Sequence, residues 1–123
     1  MAKKVLLAED EKNVILGVRT CLDAVGYDVE VVEDGEEALN SVKRAHPDLI
    51  LLDLLMPKVD GFEVLKVLKG NEETSKIPIV VLTAKAEETD RQRAMELGAD
   101  NYMTKPFKPQ ELWDVIKGYL PEL

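Results

Sequence analysis

The chain has 123 residues, of which 46% are hydrophobic and 33% are charged, and its formal net charge is −8 at pH 7. This composition is typical of one folded domain over residues 1–123 and argues against a disordered chain. The longest apolar runs are too short to cross a bilayer, and a negative chain without a cluster of Lys or Arg is not expected to bind nucleic acid.

Short apolar, β-branched runs alternate with stretches whose apolar residues recur at helical spacing. The predicted strands are Lys4–Ala8, Val29–Val32, Leu49–Leu52, Ile79–Leu82 and, more weakly, Asn101–Met103. Each is followed by a predicted helix. Buried strands that are separated by helices must run parallel and be joined by right-handed crossovers. The sequence therefore predicts an α/β fold, a doubly wound five-stranded parallel sheet with helices on both faces.

Capping residues support these boundaries. Asp34 with Glu37 is typical of a helix start, and Pro109 fits the first turn of the last helix. Glycines follow three of the helices, where a left-handed residue is expected to end the helix. These glycines are Gly26, Gly70 and Gly98.

Three residues that invite a functional reading have a simpler one. Cys21 is the single cysteine, so it forms no disulfide within the chain, and its apolar neighbours at helical spacing predict a core residue. Trp113 is expected to be partly buried and His46 to lie on the surface.

The acidic residues that follow the first apolar run leave no signal-peptide cleavage site, so we expect a cytoplasmic protein.

Polar and charged residues follow the predicted strands where these end. In an open parallel sheet, ligands bind outside the carboxyl ends of the strands. Strand ends that are far apart in the sequence meet at this edge, so their side chains are expected to form one site. The residues placed there are Glu9, Asp10, Asp53, Thr83, Ala84, Lys105 and Pro106.

Three carboxylates at one edge would repel one another unless positive charge lies between them. Lys105 supplies one cation, and a site of oxygen ligands without Cys or His suits Mg²⁺, or Mn²⁺ in its place, rather than Zn²⁺. Each residue alone also fits an ordinary role. Glu9 and Asp10 fit caps of the next helix, while Asp53 fits a turn residue and Lys105 a surface charge. Their combination at several strand ends favours a functional site.

Four stretches carry specific motifs: LLAEDE at Leu6–Glu11, DLLMPKVDG at Asp53–Gly61, VLTA at Val81–Ala84 and KPF at Lys105–Phe107. In these motifs and over essentially its whole length, the sequence resembles the receiver domains of bacterial response regulators of the chemotaxis-regulator type. The resemblance implies a flavodoxin-like sheet of strand order 2-1-3-4-5 with five helices. The residue spacing within the second motif is highly specific, which argues against a chance match.

The resemblance implies a role for each metal-site residue. Asp53 would be the nucleophile that accepts the phosphoryl group. Asp10, Asp53 and the backbone carbonyl of Leu55 would bind Mg²⁺, with Glu9 acting through water. Phosphoryl transfer needs mainly positioning and charge neutralisation from the protein, which this set of residues provides.

Further roles concern the phosphoryl group and the switch. Lys105 would contact the phosphoryl group, and a cis bond between Lys105 and Pro106 would aim its side chain inward. The Thr83 hydroxyl and the Ala84 N–H would complete the cradle. After phosphorylation, Thr83 would move inward and Tyr102 would fill the vacated space from an exposed position. Two flanking residues, Leu55 and Lys85, are candidates for tuning hydrolysis.

The implied function is that of a receiver domain in a two-component phosphorelay. The phosphoryl group would come from a sensor histidine kinase or a histidine phosphotransfer protein, and the face of the fourth helix, fifth strand and fifth helix would then control a downstream protein. The domain would catalyse only its own phosphorylation and dephosphorylation, so we do not expect an enzyme. We expect a monomer without membrane contact, with dimerisation after phosphorylation left open. The sequence specifies neither the kinase nor the downstream protein, nor whether the receiver stands alone.

Three alternative functions would require other sequence features. An aspartyl-phosphate phosphatase of the haloacid dehalogenase type would carry a second Asp two residues after the nucleophile, where this chain has Leu55. A flavodoxin-like electron carrier would need a Ser/Thr/Gly-rich phosphate loop where Ala8–Asn13 is acidic. An inactive pseudo-receiver that acts only as an interaction module is disfavoured by the complete set of site residues, and a phosphorylation measurement separates it.

Overall fold

The structure is a computed structural model that describes residues 2–84 and 88–120. Within these residues, five strands and five helices alternate along the chain. The strands are β1 (Lys4–Ala8), β2 (Asp28–Val32), β3 (Leu49–Asp53), β4 (Ile79–Thr83) and β5 (Asn101–Thr104). The helices are α1 (Lys12–Asp23), α2 (Gly35–Arg44), α3 (Gly61–Lys69), α4 (Glu88–Glu96) and α5 (Pro109–Tyr119). No strand extends beyond its predicted bounds by more than one residue at an end.

The five strands form one parallel sheet in the order β2-β1-β3-β4-β5. The predicted fold class and strand order are therefore confirmed. The order reverses between β1 and β3, because the chain goes from β1 outward to β2 and then returns to β3 on the other side of β1. A doubly wound sheet opens a crevice at such a reversal, outside the carboxyl ends of the strands.

Successive residues of each strand point to opposite faces of the sheet and enter two hydrophobic clusters. Leu6 and Ile50 belong to the cluster that also contains residues of α2, α3 and α4. Leu7 and Leu51 belong to the cluster that contains residues of α1 and α5. The central strand, β3, is buried along its whole length, including Asp53 at its end. Helices on both faces thus leave the strand ends as the place where a buried polar group meets solvent.

Helix ends mostly follow the predicted capping residues. The Asp34 carboxylate accepts a hydrogen bond from the Glu37 N–H at 2.8 Å and so caps α2. Gly26 and Gly98 have φ angles of 87° and 106°, which places them in the left-handed region, as predicted. The prediction for Gly70 is wrong: its φ is −84°, because the chain stays right-handed and continues directly into the turn that follows α3.

The α4 helix differs from the other helices in its composition and in its attachment to the sheet. Ala94 is fully buried, while Met95 is 42% exposed. The Arg93 guanidinium lies over the Phe62 ring of α3 at 4.1 Å from the ring centre. Cation–π contacts therefore add to the burial of the small Ala94 side chain in holding α4 against the fold.

Among residues 2–84 and 88–120, the helices are too short or too polar to span a lipid bilayer.

Candidate functional site

The carboxyl ends of the strands bring the predicted site residues to one edge of the sheet. Asp53, the last residue of β3, pairs in register with Leu82 of β4. Thr83, the last residue of β4, pairs with Thr104, the last residue of β5. Lys105 follows directly after β5. The Lys105 N–H donates to the Thr83 carbonyl at 2.7 Å. This register aligns the ends of β3, β4 and β5.

A buried ion pair forms the base of the site. Glu9 is fully buried, and its Oε1 accepts a hydrogen bond from the Lys105 Nζ at 2.9 Å. Its other oxygen, Oε2, accepts the backbone N–H groups of Asp10 at 3.2 Å and of Glu11 at 3.1 Å. Both oxygens of this carboxylate therefore have donors, which offsets the cost of removing its charge from water. Glu9 acts here as an internal anchor of the β1–α1 turn.

Asp53 lies beside this ion pair and is only 3% exposed. Its Oδ1 accepts the backbone N–H of Leu55 at 3.1 Å. Its Oδ2 lies 3.7 Å from the Lys105 Nζ, which is beyond hydrogen-bonding distance. The ammonium thus lies closer to Glu9 than to Asp53, and Oδ2 has room for a stronger interaction.

The electrostatics of Asp53 reflect its burial among like charges. Burial, the largest cause, and the nearby Glu9 raise the pKa of Asp53 to about 7, against the Leu55 hydrogen bond and the Lys105 charge. Burial also acts to lower the pKa of Lys105. Hydrogen bonding to Glu9 and the charges of Asp53 and Glu9 outweigh burial, so the pKa of Lys105 is raised overall. The ammonium stays charged, but it does not compensate Asp53 fully.

The three acids that were predicted for the metal site do lie together. Glu9, Asp10 and Asp53 each offer a carboxylate oxygen, and these oxygens lie within 4.8 Å of one another. Asp10 is exposed while the other two are buried, so the group has one side open to solvent. A cluster of hard oxygen donors with an open side fits Mg²⁺, which keeps several waters. No Cys or His of the described residues belongs to this group, which disfavours Zn²⁺.

The remaining predicted residues lie around this cluster with different degrees of exposure. Thr83 is half-buried and Ala84 is exposed. The Lys105–Pro106 peptide bond is cis. Leu55 places its side chain outward, with 74% of it exposed. Lys85 lies outside the described residues.

The prediction that Tyr102 has an exposed position is wrong. Its side chain is half-buried and packs against the cluster formed by α2, α3 and α4. The Arg91 guanidinium of α4 lies over its ring at 4.5 Å from the centre. The physical reason is that α4 offers this ring a cationic surface to pack on, so the aromatic side chain gains contact without entering the core.

One further residue of the site was missed by sequence reasoning. Glu11 places its Oε1 3.3 Å from the Lys105 Nζ, although its side chain is 60% exposed. It occupies the N-cap position of α1 but makes no side-chain capping bond there. The signal was the run of three acids at Glu9–Glu11, of which only the first two were assigned to the site.

The three residues with simpler readings lie away from the acids or on the surface. Trp113 is half-buried, as predicted, and its indole N–H donates to the Cys21 carbonyl at 3.0 Å. Cys21 is half-buried rather than a buried core residue, because it lies where α1 meets α5 rather than under the sheet. His46 is exposed, as predicted.

Comparisons with known proteins agree with this geometry. A family model described as the response regulator receiver domain matches residues 5–117. The alkaline phosphatase synthesis transcriptional regulatory protein PhoP of Bacillus subtilis is 46% identical over 120 residues, which cover 98% of this chain and 49% of that protein. The chain spans about half the length of the curated relatives it matches.

Solved structures show the same architecture. The receiver domain of the sensor histidine kinase PA1611 from Pseudomonas aeruginosa, crystallised with a magnesium ion in its active-site cleft, is similar with a TM-score of 0.91 and 31% identity, covering 99% of this chain and 100% of that one. The chemotaxis response regulator CheY4 of Vibrio cholerae has a TM-score of 0.90 and 31% identity, covering 97% and 99%. The family match, the strand order and the shared motifs show that this chain belongs to the response regulator receiver domains of two-component signalling.

Proposed function

We propose that the chain accepts a phosphoryl group on Asp53 with Mg²⁺ held by Asp10, Asp53 and the Leu55 carbonyl, and with Glu9 acting through water. The observation that carries the proposal is the position of the Asp53 carboxylate. It is buried beside an ammonium that is bonded elsewhere, next to an exposed acid at the open side of the cluster. Mn²⁺ is the alternative metal, since it accepts the same oxygen ligands.

The donor in this proposal is a phosphohistidine of a sensor histidine kinase or a phosphotransfer protein. An oxygen of the Asp53 carboxylate forms a bond to phosphorus as the bond from phosphorus to the imidazole nitrogen breaks. The electron pair of the broken bond stays on the imidazole, which leaves as the neutral ring after taking up a proton. Water later attacks the phosphorus as its bond to the Asp53 oxygen breaks, which releases inorganic phosphate and returns Asp53 to its carboxylate. The chain acts on itself in both steps, so the proposal does not include an enzyme activity on a separate substrate.

Charge neutralisation explains why these residues suit the reaction. A bound Mg²⁺ would supply positive charge to the carboxylates and to the phosphoryl oxygens. Lys105 is already charged and buried next to Asp53, so it needs to shift only from Glu9 towards the incoming phosphoryl oxygens. The Thr83 hydroxyl and the Ala84 N–H are the proposed further donors to those oxygens. Stabilising hydrogen bonds of this kind are worth most in a site that excludes water.

The proposed output is a change in the face formed by α4, β5 and α5. Thr83 would move towards the phosphoryl group, and Tyr102 would turn inward to fill the space it leaves. Tyr102 starts half-buried under Arg91, so this rotation would also break a cation–π contact with α4. Phosphorylation would shift a population between two states of this face, and a downstream protein would bind one of them.

The experiment that tests the proposal is intact-mass analysis after incubation with acetyl phosphate and Mg²⁺. The wild-type chain should gain the mass of one phosphoryl group, and the Asp53→Asn variant should gain none. Asp100→Asn is the matched control, because it makes the same chemical change at an acid that lies away from the site. An unlabelled wild-type chain would favour an inactive pseudo-receiver, and equal labelling of Asp53→Asn would remove the role of Asp53.

The phosphatase alternative is disfavoured by the same geometry. Leu55 stands where such an enzyme would carry its second Asp, and its apolar side chain points into solvent. Turnover of added p-nitrophenyl phosphate by the chain would support the phosphatase. Stable or slowly decaying self-labelling without such turnover supports the receiver.

A further inference from the structure

The segment between β3 and α3, residues 54–60, forms the β3–α3 loop and carries the Leu55 peptide. Leu54 and Met56 are 3% and 7% exposed and pack in the same hydrophobic cluster, so the core holds the loop on one side. Between them, the Leu55 N–H donates to the Asp53 Oδ1. The position of the Leu55 peptide, and with it the carbonyl proposed for the metal, therefore depends on how this loop is held.

The N-terminus of α2 lies directly against the other side of the loop. The N–H of Gly35, the first residue of α2, points at the Pro57 carbonyl at 3.4 Å. Asp34, which caps α2, also places its Oδ2 3.6 Å from the Lys58 Nζ. Lys58 itself has a φ of 67°, a conformation that few non-glycine residues adopt. The loop is thus bent to follow the start of α2.

Gly35 has no side chain because the loop leaves no room for one. A Cβ atom at this position would clash with the Val59 carbonyl oxygen and would lie 2.8 Å from the Val59 Cβ. The first of these atoms belongs to the backbone, which cannot rotate away as the end of a side chain can. Gly35 does not have a positive φ, so contact with the loop, rather than backbone conformation, requires glycine here.

We propose that Gly35 is a positioning residue for the metal site: its close contact with Val59 and Pro57 fixes the β3–α3 loop so that the Leu55 carbonyl faces the acidic cluster. This inference rests on the proposed function, because it assigns Gly35 a part in binding the same Mg²⁺. The α2 N-terminus and the metal site are coupled through a loop of which both ends are anchored. Mutation of an outer residue that orients a metal ligand typically weakens metal binding by about 10- to 100-fold.

The test is a Gly35→Ala variant with Gly118→Ala as its control, both titrated with MgCl₂ in isothermal calorimetry without a phosphoryl donor. Gly118 lies in α5, where an added Cβ meets nothing within 4 Å. Gly35→Ala should bind Mg²⁺ at least about tenfold more weakly than the wild type, while Gly118→Ala should keep the wild-type affinity. Circular dichroism and urea unfolding establish that both variants are folded at the titration temperature.

A folded Gly35→Ala variant with wild-type Mg²⁺ affinity would overturn the inference, because it would mean that α2 moves and the loop does not. A wild-type chain that fails to bind Mg²⁺ would instead overturn the proposed function. The two failures are therefore distinct.

The wild-type chain supplies a second measurement that does not depend on the folding of a variant. In ¹H–¹⁵N spectra, the amides of Gly35 and Val59 should shift on Mg²⁺ addition with the same midpoint as the amide of Leu55, while that of Gly118 stays unchanged. If the Leu55 amide signal shifts on Mg²⁺ addition and those of Gly35 and Val59 do not, the proposed coupling is contradicted.

Discussion

Two lysines with little solvent exposure, one at each end of the sheet, show how similar burial serves different purposes. Lys69, the last residue of α3, is 11% exposed and lies at the amino ends of β4 and β5. Lys105 is 8% exposed and lies at the carboxyl ends of the strands. Burial of a lysine costs free energy wherever it occurs unless the charge is paired. The two sites meet this cost with different sets of partners.

The Lys69 ammonium is satisfied and its charge is balanced. It donates to the carbonyls of Ser75 at 3.0 Å and Ile77 at 2.9 Å, and to the Asp100 Oδ2 at 2.8 Å. Asp100 also accepts the N–H of Ile79 at 2.8 Å. One cation thus meets one carboxylate and two neutral oxygens at short distances. All three donors of the ammonium are therefore used within the fold.

The Lys105 ammonium lies among an excess of negative charge. Its distances to the oxygens of Glu9, Glu11 and Asp53 are 2.9, 3.3 and 3.7 Å. One cation therefore faces three carboxylates, with the exposed Asp10 beside them. Burial of a lysine therefore does not mark a functional site, whereas an uncompensated surplus of carboxylates around it does.

We expect the greatest loss of stability when the ammonium of Lys69, whose charge is balanced by Asp100, is removed. Lys69→Met keeps the length of the side chain but removes all three hydrogen bonds and leaves Asp100 without its cation. We expect the free energy of unfolding to fall by about 2 kcal/mol, discounted for the partial exposure of Asp100. Urea unfolding measures this loss, and a Mg²⁺ titration should show unchanged affinity. A variant with weakened Mg²⁺ binding but wild-type stability would contradict a purely structural role of Lys69.

At the carboxylates around Lys105, where negative charge is in excess, we expect a smaller change in stability, and in the opposite direction. Asp53→Asn removes one of the crowded carboxylates, so in EDTA the free energy of unfolding should rise by about 1 kcal/mol. Asp100→Asn should lower it, because that acid is the partner of Lys69. Parallel urea curves of the two variants in EDTA test the pair. A loss of stability in both would show that the acids have the same structural role.

Glu11→Gln tests whether the surplus negative charge near Lys105 attracts the metal. Removing this charge lowers the negative potential that attracts a cation, and since Glu11 is 60% exposed the change should be modest. We expect Mg²⁺ affinity to fall about threefold in a calorimetric titration. Glu96→Gln, an equal charge change at the exposed end of α4, is the control and should have no effect. Tighter Mg²⁺ binding by Glu11→Gln would contradict the role of surplus charge.

The smallest effect is expected at a partly exposed ion pair and depends on pH. Hydrogen bonds from Lys4 and Ser41 lower the pKa of Glu30 below its usual 4.5. A lowered pKa in the folded state means that Glu30 stabilises the fold above its unfolded pKa and loses this contribution as the pH falls through the lowered value. Glu30→Gln should therefore cost less than about 1 kcal/mol at neutral pH, and this cost should shrink progressively as the pH is lowered below the usual pKa of Glu30. Urea midpoints over a series of pH values from neutral to acidic test this, and a cost that does not change with pH would exclude the ionised pair.

The fold was predictable because its pattern is local. Five apolar runs of strand length alternate with amphipathic stretches, and only parallel strands with crossover helices satisfy that order. Asp34 and Pro109 mark helix starts by the chemistry of a single residue, so these predictions were confirmed. Gly70 shows the limit, since whether a glycine after a helix turns left-handed depends on the path of the following chain.

The site was predictable where residues follow strand ends, and not where they meet across the fold. Glu9, Asp53 and Lys105 come together because the topology fixes the edge on which they lie. The contact of Gly35 with Val59 depends instead on the packing of α2 against a loop, which no spacing in the sequence reports. The pair of Lys69 and Asp100 was missed for the same reason, since both residues look like ordinary surface charges in the sequence.

The inward, outward, inward order of Leu54, Leu55 and Met56 constrains the number of residues between Asp53 and Gly61 more than their identity. Position 61 must be glycine, since a Cβ there would lie 2.5 Å from the Asp53 carbonyl oxygen. An insertion or deletion between them would exchange a core side chain for a solvent-facing one, whereas replacing Leu55 changes only what the solvent meets at the mouth of the site. Evolution and protein engineering can therefore vary the chemistry of this mouth freely by substitution, but only within a segment of constant length.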